Sequence, residues 1–187
     1  MNTHPAPSGG SPLAHATVPV VGHPFLVIWT PEDGSVRAAG FADQGDPAAD
    51  ELFARLGRIA PELAARGLAQ DQEPRGPIPA ALHAYADGDW AALDAIPVAQ
   101  PETPFRGEVW RALRGVQAGQ AVTYTELASR AGRPTAVRAA ASGCANNLVA
   151  LIVPCHRIVR TDGGLGGYLF GVDVKERLLR HEGARSA

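Results

Sequence analysis

The first forty residues carry apolar runs of strand length, and most of the remainder carries apolar positions at helical spacing. P-F-L-V-I-W-T, within Val18 to Thr30, reads as a strand, P-E-D-G at Pro31 to Gly34 as a turn, and Ser35 to Phe41 as the returning strand of a hairpin. Alanines and leucines then recur at helical intervals in Pro47 to Leu56 and Pro61 to Arg66. Gln70 to Pro79 reads as a linker, Ile78 to Ala86 as a short helix and Gly88 to Pro97 as a brief extended return.

Gln100 to Pro104 marks a boundary. Thr103 is placed to cap a helix starting at Pro104, with Phe105, Val109, Trp110 and Leu113 as its apolar stripe. Thr123 followed by Glu126 is a capping box that opens a second helix, Tyr124 to Ala131. Gly132, Arg133 and Pro134 break it, and a third helix is expected over Thr135 to Ala145. Helix, short turn, helix is the helix-turn-helix pattern. Leu148 to Val153 is apolar throughout and is expected to be a buried strand, which Pro154 ends. A glycine-rich loop, Thr161 to Tyr168, and a closing helix from Val172 to a glycine cap at Gly183 complete the chain.

This pattern predicts an α/β protein: a disordered tail over 1–14, a small domain of strands and helices over 15–99, and a mostly helical domain over 100–187. The tail, rich in Pro, Gly and Ser, lacks the basic and apolar segments of a signal peptide. The formal net charge of -2 conceals a division, because residues 1–103 hold 5 Lys+Arg against 13 Asp+Glu and residues 104–187 hold 12 against 6. A basic second half suits a polyanionic partner, although two halves of opposite sign could equally attract each other.

Candidate chemistry centres on Cys155 and His156, delivered side by side by Pro154. A buried thiol is inert unless a base or cation adjoins it, and the adjacent histidine serves only if the chain bends. The bland alternative is a small core cysteine beside a hydrogen-bonded histidine. Two cysteines eleven positions apart, one of them in the presumed site, argue against a disulfide framework and for a reducing compartment, taken as cytoplasmic. With no C-x-x-C pattern, no metal is expected.

Pro154-Cys155-His156-Arg157 after an apolar run, the loop ending in Tyr168, and the final K-E-R-L-L-R-H-E-G resemble the O6-alkylguanine-DNA alkyltransferases, the methylated-DNA-protein-cysteine methyltransferases, over about Thr103 to Gly183. The resemblance implies irreversible, stoichiometric transfer of an alkyl group from guanine O6, with O4-alkylthymine left open, to Cys155. In it His156 takes the thiol proton through a water, and Glu182 orients the imidazole. Tyr124 crowds the phosphate backbone and donates toward the purine, and Asn147 is the hinge. Pro154, Gly166, Tyr168, Leu169 and Lys175 frame the pocket, with Lys175 anchoring the tyrosine-bearing loop.

Arg138 matches the family's arginine finger, and Ala136, Ala139 and Ser142 form a small-residue face suited to the minor groove of double-stranded DNA holding a flipped alkylated base. A monomer in solution with no membrane contact is expected, and clustering on DNA is left open. Leu169 and Phe170 are bulkier than the residues many members carry, which implies poor acceptance of benzyl groups and likens the chain to the carboxy-terminal domain of the bacterial adaptive-response protein. Two other readings compete: an alkyltransferase-like protein that binds lesions without transfer, and a Cys-His-Glu hydrolase. The first replaces the cysteine that is present here, and the second leaves the basic half and Arg138 without purpose.

Overall fold

The computed structural model describes residues 10–42, 48–71 and 76–184. Strands β1 (Leu13–Val20), β2 (His23–Trp29) and β3 (Val36–Phe41) form an antiparallel meander, and β4 (Leu68–Gln70) pairs parallel to β1, giving the order β3-β2-β1-β4. The expected hairpin is β2–β3. The tail expected over 1–14 falls mostly outside the described residues, yet Leu13 is fully buried in β1 and hydrogen-bonds Gly67. Polar and small residues hide β1 (LAHATVPV) and β4 from a hydropathy reading.

β2 is buried on both faces, which is why its apolar run does not alternate. Phe25, Val27 and Trp29 face one core, while Leu26 and Ile28 face a second. The second core is closed by α1 (Ala48–Ile59) through Leu52 and Leu56, with the short α2 (Pro61–Ala64) beside it. The first is closed by α3 (Pro77–Ala86) and runs on without a break into the helices of the second half. Trp90–Leu93 is a 3-10 turn, not the extended return expected there, and its Leu93 is buried in that same core.

α4 (Pro104–Arg114) begins where Pro104 predicts, but the Thr103 side chain makes no capping bond and only its carbonyl accepts, from Gly107 N–H. α5 (Tyr124–Arg130) carries the complete capping box between Thr123 and Glu126. It ends at Gly132, in the left-handed region, with Arg133 N–H reaching back to the Ala128 carbonyl. α6 (Val137–Ala145) starts two residues later than expected, after a turn at Arg133 to Ala136. Val109, Trp110 and Leu113 of α4 are buried, and the Trp110 indole donates to the Gly143 carbonyl at 3.0 Å. A methyl group on Gly143 would lie 2.8 Å from Val109, so a glycine lets α6 press onto α4.

Leu148 to Val153 is buried as expected but is not a strand. Ala39 N–H donates to Leu148 O and Ala150 N–H to Ala39 O, a single bridge on the β3 edge. Leu151 then takes a φ of 65°, and Val153 N–H returns to Val149 O, so the run closes into a turn. Apolar composition reports burial, and here the burial is of a tight turn. The short strands β5 (Val122–Thr123) and β6 (Ile158–Val159) pair parallel, and α7 (Val172–His181) closes the molecule. No helix among the described residues is long and apolar enough to cross a membrane.

Candidate active site

The buried turn, strained at Leu151 by on the order of 1 kcal/mol, leads through Pro154 into a 3-10 turn, Cys155–Arg157. That turn supplies the bend that a Cys-His pair requires. It separates the two side chains' partners: the Cys155 sulfur accepts a hydrogen bond from Asn147 Nδ2 at 3.3 Å, while His156 reaches inward to Glu182. Glu182 stands at the carboxyl end of α7, held by Gly183 at φ 70° and by Ala184 N–H reaching back to Leu179 O.

Glu182 is fully buried and surrounded by donors. Its Oε1 accepts from His156 Nε2 at 3.0 Å, from Arg157 Nη2 at 2.8 Å and from Tyr85 Oη at 2.8 Å, while Oε2 accepts from Arg157 Nε at 2.9 Å. Burial alone would raise this carboxyl, but the hydrogen bonds from His156 and Arg157 and the charge of Arg157 outweigh it and hold it well below the usual carboxylate range. Burial keeps the His156 imidazole below its ordinary value, and therefore neutral. An ionised Glu182 accepts from Nε2–H, which leaves Nδ1 as the basic nitrogen. That atom is buried and has no hydrogen-bond partner among the described residues. Burial also pushes the Cys155 thiol up, an effect that the Asn147 hydrogen bond and the Lys175 charge partly offset.

The Cys155 sulfur opens on a cavity of about 280 Å³ lined by Tyr124, Asn147, Ala150, Tyr168, Leu169 and Phe170 among others, with Cys144 also in its wall. Burial pushes the Tyr124 phenol up, and the nearby thiols add to this. Gly166, at φ 71°, lets the glycine-rich loop pass against the Tyr124 ring. Lys175 is fully buried and donates to Ile158 O at 2.6 Å and to Leu165 O, so it ties the loop down. Phe170 rests on Gly40 and Phe41 of β3, and a methyl group on Gly40 would lie 2.6 Å from its ring. Leu169 projects at the cavity mouth, 58 % exposed.

α6 presents Arg138, Ala139 and Ser142 to solvent, whereas Ala140 and Gly143 pack inward and Ala136 is half-buried. The sequence-predicted residues thus form three groups. Cys155, Asn147, Tyr124, Tyr168 and Leu169 line one cavity, His156 and Glu182 form a buried pair on the other side of the 3-10 turn, and Arg138, Ala139 and Ser142 lie on the α6 surface, while Lys175 holds the glycine-rich loop. Sequence reasoning assigned nothing catalytic to the first half, yet Tyr85 of α3 touches Glu182, and Gln100 donates from Nε2 to Asn147 Oδ1 at 3.1 Å. Arg157 carried one legible signal, since a guanidinium next to a buried histidine must find a carboxylate. Nothing around Tyr85 or Gln100 marks them out.

A helix-turn-helix here adjoins a cavity that holds a thiol, with a buried histidine–carboxylate pair beginning at the next residue. Residues 104–184 match the family described as 6-O-methylguanine DNA methyltransferase, DNA binding domain. The chain is similar to the methylated-DNA--protein-cysteine methyltransferase of Shigella flexneri, 43% identical over 102 residues, which are 54% of this chain and 60% of that protein. It is also similar to the bifunctional transcriptional activator/DNA repair enzyme Ada of Escherichia coli, 54% identical over 80 residues, 43% of this chain and 23% of that one. The matched stretch thus spans three fifths or less of these relatives. The whole fold resembles the crystal structure of Mycobacterium tuberculosis OGT in complex with DNA, with a TM-score of 0.67, 22% identity and coverage of 91% of this chain and 92% of that one.

Proposed function

We propose that this protein repairs DNA by moving an alkyl group from O6 of guanine onto its own Cys155. The observation that carries the reading is the single cavity in which the Cys155 sulfur, the Tyr124 phenol and the Asn147 amide converge at the foot of a helix-turn-helix. His156 Nδ1, whose opposite nitrogen is fixed by Glu182, takes the thiol proton through a water, and Asn147 donates to the sulfur as charge develops on it. Sulfur then attacks the alkyl carbon. The carbon–O6 bond breaks with its electron pair going to oxygen, and the proton taken from the thiol returns to the purine, so neutral guanine leaves and a thioether remains. Neither water nor His156 cleaves a thioether, so each molecule acts once and no cofactor takes part.

The lesion lies inside the duplex and must be turned out to reach the cavity, at a cost of a few kcal/mol. The exposed face of α6 suits this, because Ala139 and Ser142 are short enough for the helix to enter the minor groove, where Arg138 fills the space the base vacates. Tyr124 at the start of α5 approaches the phosphate and donates toward the purine. Residues 15–99 act as the supporting domain and 100–187 as the DNA-binding and transfer domain of a cytoplasmic monomer. A duplex carrying radiolabelled O6-methylguanine tests the reading. The label should pass to protein in at most one equivalent, and repeated turnover or a label that stays on the DNA would contradict it.

A further inference from the structure

Gln100 lies in the stretch before α4, and its side chain is half-buried against the loop that carries Asn147. We propose that Gln100 is a positioning residue that sets which way the Asn147 amide faces and so keeps an N–H donor on the Cys155 sulfur. The orientation passes along a chain of hydrogen bonds. Leu148 N–H donates to Gln100 Oε1 at 2.9 Å, and a backbone N–H can meet only the oxygen end of that amide. Gln100 Nε2 must then face Asn147, and it donates to Oδ1 at 3.1 Å. Val149 N–H donates to the same oxygen at 3.1 Å. With Oδ1 held by two donors, Asn147 Nδ2 points the other way, to Val153 O at 2.8 Å and to the Cys155 sulfur at 3.3 Å. A reversed amide would set its oxygen against the Val153 carbonyl and the sulfur, and its N–H groups against those of Gln100 and Val149.

Val149 is local to the Asn147 turn, whereas Gln100 comes from 47 positions away. The donor on the sulfur matters most when the sulfur is charged, because hydrogen bonds to an ionised acceptor are roughly twice as strong as neutral ones. Gln100 therefore acts on the ease of forming the thiolate without touching the substrate. Its link to repair rests on the function proposed above, but its effect on the thiol does not.

The test is the pH dependence of Cys155 carbamidomethylation by iodoacetamide in the full chain, read by the mass of the peptide that contains it. Two variants isolate the donor. Gln100→Met removes both hydrogen bonds at nearly constant shape. Gln100→Glu keeps an oxygen for Leu148 N–H but has no N–H for Asn147. All they share is the lost donor, and in both the midpoint should rise by about one unit. Reaction at pH 7 should slow about tenfold, and the variants should draw level with the parent above their midpoints. Methyl transfer from O6-methylguanine duplex at pH 7 should slow in parallel. An unmoved midpoint in either folded variant, or a slowing that is equal at all pH values, overturns the assignment. If Gln100→Met does not fold, Gln100→Leu, which also lacks both hydrogen bonds and adds no charge, takes its place. If the parent takes no methyl group from DNA, the repair reading fails while the iodoacetamide midpoints still decide the role of Gln100.

Discussion

The Tyr85 hydroxyl donates to Glu182 at 2.8 Å although 97 positions separate the two residues, so the first half of the chain completes the hydrogen-bonded group around Glu182 and His156. The contact is clamped from both sides. His181, next to Glu182, bonds the Tyr85 carbonyl at 2.8 Å and packs at a tilt against its ring, and Trp90 meets His181 edge-on.

Tyr85→Phe should preserve the packing and lose only the hydroxyl. A hydrogen bond to a charged group contributes about 1.5–3 kcal/mol, and we expect the melting temperature to fall by roughly 5 °C. Single-turnover methyl transfer should slow by about tenfold as Glu182 loosens its hold on the imidazole. Unchanged transfer in a destabilised variant would reduce Tyr85 to a packing residue.

Stability should fall in two steps on acidification. The buried His156 is held neutral, below its ordinary value, so its contribution is complete above the unfolded value near 6.5 and is lost as pH drops toward the folded one. Glu182 is held ionised, so its contribution is complete above about pH 4.5 and is lost below that. Denaturant midpoints measured from pH 8 to pH 3 should decline in both windows, with the lower step smaller in Glu182→Gln, where Glu32, Asp33 and Glu126, also held below the usual carboxylate range, still contribute. A rise in stability between pH 7 and pH 5 would contradict the neutral imidazole.

Arg138 stands exposed at the first turn of α6 and is not among the residues that line the Cys155 cavity. Arg138→Ala should slow transfer from duplex DNA by about tenfold or more, as the cost of turning out the base is no longer offset. Reaction with free O6-methylguanine base should be unaffected. Equal loss on both substrates would place Arg138 in the chemistry instead.

Phe170, seated on Gly40, forms part of the cavity wall, and Leu169 projects at its mouth. The parent should repair O6-methylguanine faster than O6-benzylguanine, and Phe170→Ala should narrow that gap by roughly tenfold as the wall recedes, at a stability cost of about 3 kcal/mol. Similar rates for methyl and benzyl in the parent would show that the wall does not limit substrate size.

Local chemistry made the second half of the chain legible. The Thr123–Glu126 box and the left-handed Gly132 and Gly183 act through near neighbours, and the structure contains them; Pro154 ends no strand and instead opens the 3-10 turn at Cys155. Cys155, His156 and Glu182 could be placed because their pattern resembles a known family. The sequence misled where burial came from a distance. Leu148 to Val153 reads as a strand, but its apolar surface is covered by other segments while its backbone turns at Leu151. β1 was obscured because its side chains are small or polar and its pairing partner, β2, supplies most of the apolar surface. Tyr85 and Gln100 lie far along the chain from the atoms they contact, and only the folded chain brings those atoms together.

Intact mass after incubation with excess O6-methylguanine duplex, with Cys155→Ala alongside, tests the central claim most directly. The account predicts a gain of one methyl group, mapped to Cys155, never above one equivalent and absent in the variant. A methyl group on Cys144, a gain that persists without Cys155, or no gain at all would contradict it.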